Sequence, residues 1–218
     1  MNSRFLALLI AMITLLLNYA MGESKNPPSV QYEFAQIGNQ VWMLKNLDVD
    51  HYRNGDTIPE VREDTAWANT TKGAWCYYNN DPTNGTIYGK LYNWYAVTDP
   101  RGLSPEGWHV PSESEWNLLA TYLGGKDIAG GELKDIDQAL WVTPNIGATN
   151  ESGFSALPGG FRDGQGAFTT LGTGGDWWSS TVDYTADAWG RYIYYNYTGI
   201  YRRYFNKALG FSVRCIQD

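Results

Sequence analysis

Two cysteines and two histidines are the residues of this chain best suited to redox or acid–base chemistry. Cys76 and Cys215 lie about 140 residues apart, and an even number of cysteines in an exported chain favours a disulfide. We therefore predict a bridge between them, with two buried free thiols as the alternative, since sequence cannot show that their Cα atoms approach. His109, in the segment Gly-Trp-His-Val-Pro, is predicted to be a hydrogen-bonding histidine of the core rather than a catalytic base.

Motifs for nucleophilic or phosphate chemistry are incomplete. The segment Gly153–Leu157 departs from the G-x-S-x-G pattern at its last position and lacks the strand–turn–helix setting of a nucleophile elbow. The glycines between positions 159 and 175 match neither G-x-G-x-x-G nor a Walker motif, so we interpret them as turn residues. A glycosidase built on two carboxylates stays open, because distance in three dimensions defines such a pair.

Loop carboxylates and amides offer candidate ligands for Ca²⁺, which prefers oxygen. The candidates are Asp135, Asp137, Asn145, Asn150 and Glu151. Asp and Asn in loops more often form turns through hydrogen bonds to the nearby backbone. We therefore predict neither a metal nor another cofactor, and keep Ca²⁺ as the alternative.

Aromatic residues are unusually abundant, with 10 Trp, 16 Tyr and 7 Phe, and many of them lie late in the chain. Flat rings bury a large area at low entropic cost, which suits them to bind glycans or partner proteins. The predicted ligand-binding residues are therefore four aromatic side chains and one neighbouring cation: Trp178, Tyr184, Trp189, Tyr195 and Arg191.

Alternation along the predicted strand Arg191–Tyr197 divides its aromatic rings between two faces. One face receives Tyr192 and Tyr194, and the other receives Ile193, Tyr195 and Tyr197. The neighbours Trp177 and Trp178 point in opposite directions for the same reason. Since one face must be core, about half of these rings are predicted to be structural.

The clearest element that could position these residues is a capped helix at Glu113–Leu123. Ser112 and Glu115 have the S-x-x-E spacing of a capping box, and Gly124 offers the left-handed residue that ends many helices. An apolar stripe at positions i, i+3, i+4 and i+7 is formed by Trp116, Leu119, Ala120 and Leu123. A helix at Gly89–Val97 and a short, weak one at Lys126–Lys134 are also predicted.

Strands and turns are predicted to surround these helices. The predicted strands are Tyr32–Ile37, Val41–Lys45, Gly73–Tyr78, Trp177–Thr181, Arg191–Tyr197, Ile200–Phe205 and Phe211–Ile216. Surface loops are predicted at Asp48–Ala68 and Asn79–Gly85, and a long, glycine-rich loop region at Asp135–Asp187. The sequence therefore predicts an α+β fold with small, twisted, mostly antiparallel sheets, two main helices and a long irregular loop region, its chain ends lying together.

The first 22 residues are predicted to be a signal peptide. Phe5–Leu17 is an apolar run that as a helix spans about 20 Å, less than the roughly 30 Å hydrocarbon core of a bilayer. Ala20-Met21-Gly22 predicts cleavage after Gly22; residues 23–30 are a predicted linker and residues 31–218 a single domain. An uncleaved anchor is the alternative, and a lipid anchor on an N-terminal cysteine is not expected, because the first cysteine is Cys76.

The net charge limits which kinds of partner are expected. The chain carries a formal charge of −7, which argues against nucleic acid and anionic membrane surfaces. We expect a secreted, periplasmic or cell-surface protein with no membrane span after cleavage.

Several longer segments together resemble one known family. They are IGNQVWMLKNL at 37–47, YGKLYNWYAV at 88–97, GLSPEGWHVPSESEW at 102–116, NESGFSALPGGFR at 150–162, DWWSST at 176–181 and GFSVRCIQD at 210–218. On these segments the chain resembles the Fibrobacter succinogenes major paralogous domain family over nearly all of its length after the leader. That family is similar to the formylglycine-generating sulfatase-modifying enzymes and, more distantly, to C-type lectins, so the resemblance implies a C-type-lectin-like fold.

The enzymes to which that family is similar depend on catalytic residues that this chain lacks. Formylglycine-generating enzymes work through a close pair of reactive cysteines, and related iron-dependent sulfoxide synthases use three histidines. This chain has two cysteines far apart in sequence and only His51 and His109. The resemblance therefore implies a non-enzymatic relative, and an enzyme of the sulfatase-modifying group with altered catalytic residues is the alternative.

The predicted function is an exported binding module at or outside the cell surface, with a glycan or a surface protein as its partner. The region Asp135–Trp189 is expected to carry the contacts. A structural domain of the envelope with no small ligand is the third hypothesis.

Overall fold

The two ends of the domain meet in one antiparallel sheet. The computed structural model describes residues 31–218, so the predicted signal peptide and linker lie outside the described residues. Tyr32–Asp218 form one compact unit. Among residues 31–218 there is no helix long and apolar enough to cross a membrane.

Within the described residues there are 11 strands and five α-helices. The strands are β1 Phe34–Ile37, β2 Gln40–Met43, β3 Trp75–Cys76, β4 Leu91–Tyr92, β5 Trp108–His109, β6 Phe161–Arg162, β7 Phe168–Thr169, β8 Gly174–Val182, β9 Asp187–Tyr194, β10 Tyr201–Asn206 and β11 Ile216–Gln217. The α-helices are α1 Asp64–Asn69, α2 Pro82–Tyr88, α3 Trp94–Val97, α4 Glu113–Tyr122 and α5 Ala129–Leu133. A single 3₁₀ turn at Tyr78–Asn80 precedes α2.

Four small sheets organise these strands. One has the order β1-β2-β11-β5, the second β10-β9-β8, and the pairs β3-β4 and β6-β7 form the others. Their strand pairs are all antiparallel. The predicted α+β class with small antiparallel sheets is therefore confirmed. Strand β11 pairs with β2 through Ile216 and Trp42, so the two ends of the described chain do lie together.

Helix α4 forms as its sequence predicts. The backbone N–H of Ser112 donates to Glu115 Oε2 over 2.7 Å, and the Ser112 hydroxyl accepts from the Glu115 N–H, which completes the capping box. The helix ends at Tyr122, and Gly124 follows with φ +86°. Trp116 and Leu119 of the predicted stripe are fully buried.

Three other predicted segments differ from the structure that forms. The predicted helix Gly89–Val97 divides into β4 and α3, because the Asn93 side chain caps α3 by accepting from the Ala96 N–H. The predicted loop Asn79–Gly85 contains the start of α2, where Asp81 caps the helix. The predicted loop Asp48–Ala68 contains the start of α1.

The core consists of three hydrophobic clusters, and β8 lies between the two larger ones. Trp178 belongs to the cluster that contains Phe211 and Trp94. Trp177 belongs to the cluster that contains Trp116. The opposite directions predicted for the two neighbouring tryptophans are therefore confirmed, and both are buried.

Buried cations hold the long irregular region in place. Arg162 donates to the carbonyls of Gly166, Val61 and Arg62, over 2.7–2.8 Å. Arg214 donates to the carbonyls of Met43 and Phe154. All of these carbonyls except that of Met43, the last residue of β2, lie outside regular strands, so the cations satisfy backbone groups that would otherwise be buried without a partner.

Candidate functional site

Strands β8, β9 and β10 form a sheet whose two faces differ in chemistry. Residues directly opposite each other in an antiparallel pair share a face. Arg191 lies opposite Trp177 and Arg202, which defines the inner face. Tyr192 lies opposite Asp176 and Tyr201, which defines the outer face.

The inner face packs on α4 through a buried ion pair. The Arg191 guanidinium, only 2% exposed, donates to the Glu113 carboxylate and to Asn117 Oδ1. Burial disfavours its charged form and lowers its pKa, while Glu113 opposes that effect. Arg191, predicted as a ligand-binding residue, is thus occupied in joining the sheet to the helix.

One half of the outer face belongs to the core. Trp178 stacks on Phe211 with ring centroids 4.4 Å apart, and its indole N–H donates to the Tyr92 carbonyl over 2.8 Å. Phe205 and Phe161 pack edge-on against the same Phe211 ring. Trp178, predicted to contact ligand, is completely buried beneath Phe211, so this structure leaves none of its ring exposed to a ligand.

The other half of the outer face is open and carries tyrosines. A cavity of about 330 Å³, called here the tyrosine pocket, is lined by Phe161, Asp176, Tyr192, Tyr194, Arg203 and Phe205. Tyr192 has its ring centroid 5.7 Å from that of Tyr194 and 5.9 Å from that of Tyr201. Tyr197 adds a further ring, 5.8 Å from Tyr194 and 5.4 Å from Tyr201.

Asp176 is the unusual group of the tyrosine pocket. It is 2% exposed, and its Oδ2 has no hydrogen-bond partner within residues 31–218. Burial raises its pKa from an ordinary 3.8 to about 8. The exposed Arg203 also lines the cavity, yet no ion pair joins it to Asp176 in the part of the chain that the structure describes. The pocket thus offers a hydrogen-bonding carboxyl group and a guanidinium to a ligand.

Two residues behind the pocket position its tyrosines. A Cβ on Gly174 would lie 2.7 Å from the Tyr194 ring, so only glycine leaves room for that ring. The Lys134 ammonium group is buried and donates to the carbonyls of Tyr194 and Tyr197, over 3.3 and 3.0 Å. Burial lowers the pKa of Lys134 to about 8. These contacts fix the turn that follows β9.

The remaining predicted ligand-binding residues do not meet in one place. Tyr184 is exposed in the connection between β8 and β9. Trp189 lies on the inner face, half-buried beneath the Arg202 guanidinium at 4.9 Å from its ring. Tyr195 packs against the cluster that contains Trp116. The five predicted residues therefore occupy different surfaces or the core.

The sequence predicts only some of the residues that form the tyrosine pocket. Alternation correctly places Tyr192 and Tyr194 on one face, with Ile193 buried on the other. Tyr197 was predicted on the opposite face, but β9 ends at Tyr194 and the turn brings Tyr197 back to the tyrosines. Asp176 was missed, although its position two residues before Trp178 puts it on the same face.

The predicted disulfide is not formed. Cys76 and Cys215 are free, buried thiols in two different hydrophobic clusters, as in the alternative kept open from the sequence. Burial raises the pKa of each thiol to about 12. The Cys215 thiol contacts the Ser104 hydroxyl at 3.6 Å. Both sulfurs are therefore protonated packing groups, since only a thiolate is an effective nucleophile.

His109 connects the C-terminal end of the chain to α4. Its Nδ1 is 2.7 Å from Asp218 Oδ1, and its Nε2 is 2.8 Å from Glu115 Oε1. Partial burial disfavours the charged imidazole, but the two carboxylates outweigh it and raise the pKa above 6.5. The expected hydrogen-bonding role of His109 fits this geometry, although the ring is partly exposed rather than fully in the core.

Three of the candidate Ca²⁺ ligands form hydrogen bonds within turns. Asp135 Oδ1 accepts from the Asp137 N–H, and Asp137 Oδ1 accepts from the Ala139 N–H, each over 2.8 Å. Asn150 bonds both the backbone and the hydroxyl of Ser155. Among residues 31–218, His, Cys, Asp and Glu form no group of three or more that could hold a metal ion.

A second cavity, of about 370 Å³, lies beside β2 and α2 but offers fewer free polar groups. Of the charged side chains that line it, Lys45 pairs with Glu33 over 2.7 Å, and Asp48 pairs with Lys90. Asp135, which also lines this cavity, forms no ion pair within residues 31–218 but accepts a hydrogen bond from the Asp137 N–H. Since its charged groups are engaged within the protein, we place the candidate site at the tyrosine pocket.

Comparison with known proteins identifies the family. The family model described as the Fibrobacter succinogenes major domain matches residues 35–217. The chain therefore belongs to the Fibrobacter succinogenes major domain family, and the resemblance of its motifs is confirmed. Neither the curated proteins nor the solved structures gave a match to this chain.

Proposed function

We propose that this protein is an exported, non-enzymatic binding module that takes a glycan into the tyrosine pocket. The observation that carries the proposal is the combination of aromatic rings with an unpartnered carboxyl group, Asp176, in one open cavity. Its volume of about 330 Å³ is at the lower end of the range of small-ligand sites. A site of this size suits one sugar ring, with neighbouring rings of the glycan resting on the surface.

Each group of the pocket has a role in this proposal. The apolar C–H face of a sugar packs against Tyr192 and Tyr194, whose rings bury area at low entropic cost. Sugar hydroxyls bond to Asp176 at the base of the pocket and to Arg203 at its exposed side. Tyr197 and Tyr201 extend the aromatic surface beyond the pocket, where a second sugar would lie.

Other features support binding outside the cytoplasm rather than catalysis. The apolar run Phe5–Leu17 has the length of a signal peptide, which favours export. The thiols of Cys76 and Cys215 are buried with raised pKa values, which disfavours a reactive cysteine pair. A C-type-lectin-like fold, which the family resemblance implies, belongs to the same proposal.

The proposal is tested by a glycan array followed by titration calorimetry, with and without Ca²⁺. Tyr192→Ala should weaken binding at least tenfold, about 1.4 kcal/mol. Tyr204→Ala is the matched control, because Tyr204 is an exposed tyrosine on the inner face of the same sheet, opposite Trp189. It should leave affinity unchanged.

Absence of binding to every glycan would overturn the proposal and favour a protein partner or a structural role. Equal losses in Tyr192→Ala and Tyr204→Ala would place the site elsewhere. Loss of binding on addition of EDTA would show that a metal takes part, and would revive Ca²⁺ as the cofactor.

A further inference from the structure

We infer that the base of the tyrosine pocket receives a protonated amino group, so that the preferred glycan is one with free amines, such as a glucosamine polymer. This inference rests on the proposed function and adds the chemical class of the ligand. It follows from three features of the pocket: the unpaired carboxyl group of Asp176, the aromatic rings beside it, and the arrangement of the other charges.

The carboxyl group of Asp176 is built into the base of the pocket without a partner. Its neighbours along β8 are engaged, since Trp177 donates to Asn46 Oδ1 and Trp178 donates to the Tyr92 carbonyl. Asp176 Oδ2 is buried, yet it accepts no hydrogen bond from residues 31–218. Leaving a buried acceptor unpaired costs about 1–3 kcal/mol, and more for a charge, so a ligand donor would remove an existing penalty.

The rings beside Asp176 suit a cation. Tyr192, Tyr194, Phe161 and Phe205 line the same cavity, and the negative faces of aromatic rings attract ammonium groups within about 6 Å. A hydroxyl group can bond to the carboxyl group, but it brings no charge to the rings. An N-acetylated amine likewise brings no charge, and its acetyl group occupies additional volume.

The titratable groups around the pocket do not neutralise Asp176, so a cationic group of the ligand can pair with it. The titratable groups facing Asp176 are Tyr192 and Tyr194 from β9, Tyr197 from the following turn and Arg203 from β10. Burial, together with the Asp176 charge, raises the pKa of Tyr194 to about 12, and burial also raises the pKa of Tyr197, so these two tyrosines are neutral. Arg203 lies two strands from Asp176, roughly 10 Å across the sheet, and its exposed guanidinium is screened by water.

Binding of an ammonium group should release a proton. In the empty pocket at pH 6, Asp176 is protonated, because its pKa is about 8. An ammonium ion favours the ionised carboxylate, so the carboxyl proton leaves to the buffer as the ion pair forms. A neutral sugar needs no such ionisation and releases no proton.

Calorimetry on the full chain at pH 6, in two buffers of different ionisation enthalpy, measures both affinity and proton release. The probes are glucosamine, N-acetylglucosamine and glucose, with their tetrasaccharides, at 0.15 M salt to suppress non-specific attraction to the acidic protein. We expect glucosamine to bind at least tenfold more tightly than the other two sugars. Its binding should release roughly one proton.

Asp176→Asn should remove both the preference for glucosamine over N-acetylglucosamine and the proton release. Glu106→Gln, which removes an exposed carboxylate outside the pocket, is the charge-matched control and should change neither. Thermal unfolding of each variant verifies that it is folded.

The two proposals fail in different ways. Equal affinity for glucosamine and N-acetylglucosamine, or binding of glucosamine without proton release, would overturn the amine inference and leave glycan binding intact. Failure of all sugars to bind would overturn the proposed function and the inference with it.

Discussion

Replacing Asp176 by asparagine should change how the stability of this protein depends on pH. The carboxyl group holds its proton more tightly in the folded state, with a pKa of about 8 against an ordinary 3.8. Its contribution to stability is therefore fully present below about pH 4 and is lost progressively as the pH rises to about 8. One pH unit corresponds to about 1.4 kcal/mol, so about 4 kcal/mol is lost between pH 4 and pH 7.

Asparagine does not titrate, and its buried amide group lacks a partner just as the neutral carboxyl group does, so the two side chains carry a similar penalty at pH 4. Asp176→Asn should thus be about as stable as the natural protein at pH 4 and more stable, by about 4 kcal/mol, at pH 7. The two stability curves should diverge between these values.

Urea denaturation followed by tryptophan fluorescence, at intervals from pH 4 to pH 8, measures the difference. Glu106→Gln removes a carboxylate at the surface and should follow the natural protein at all pH values. Parallel curves for Asp176→Asn and the natural protein would refute the reasoning, because they would mean that Asp176 ionises normally and is not buried without a partner.

Three further predictions concern residues outside the pocket. Arg191→Met should lower the free energy of unfolding by about 3 kcal/mol, since it leaves Glu113 buried without its principal cation; unchanged stability in urea would show that the pair is not structural. Ellman's reagent should label neither Cys76 nor Cys215 in the folded protein and both after denaturation without reductant, whereas a disulfide would leave both unlabelled. An NMR titration should give His109 a pKa above 6.5. The stabilisation that its two carboxylate partners provide should be complete below that ordinary value and disappear as the pH rises through the raised one; a His109→Gln variant with the same pH dependence as the natural protein would contradict this.

Sequence predicts best where a short segment determines its own structure. The capping box of Ser112 and Glu115 forms within one turn of helix, so it is predicted correctly from the spacing of these two residues. The apolar residues of Gly89–Val97 have helical spacing, which predicts a helix there. Strand β4 forms instead because it pairs with β3, and the spacing of residues within one segment cannot indicate a pairing with another segment.

Prediction of the site was weaker because burial decides which aromatic rings can meet a ligand. Trp178 and Arg191 have residue types common in binding sites, yet one is covered by Phe211 and the other is paired with Glu113. Nothing in the local sequence identifies these partners, which come from distant segments. Asp176 acquires its unusual character in the same way, since its isolation is a property of the assembled sheet.

The irregular region shows a similar limit. Gly164 and Gly172 lie in turns as predicted, whereas Gly174 and Gly175 belong to β8. The region is ordered by buried cations whose acceptors are backbone carbonyls. Backbone carbonyls are present at every residue, so sequence cannot indicate which of them Arg162 or Arg214 will reach.

The most direct test of the central claim, that the tyrosine pocket binds a glycan, is an NMR titration of the isotope-labelled protein with glucosamine oligosaccharides. The amide resonances that shift in a saturable way should belong to residues 174–178, 190–194 and 201–205, which form the three strands beneath the pocket. Saturable shifts confined to any other surface, or none at millimolar concentrations of sugar, would contradict the account.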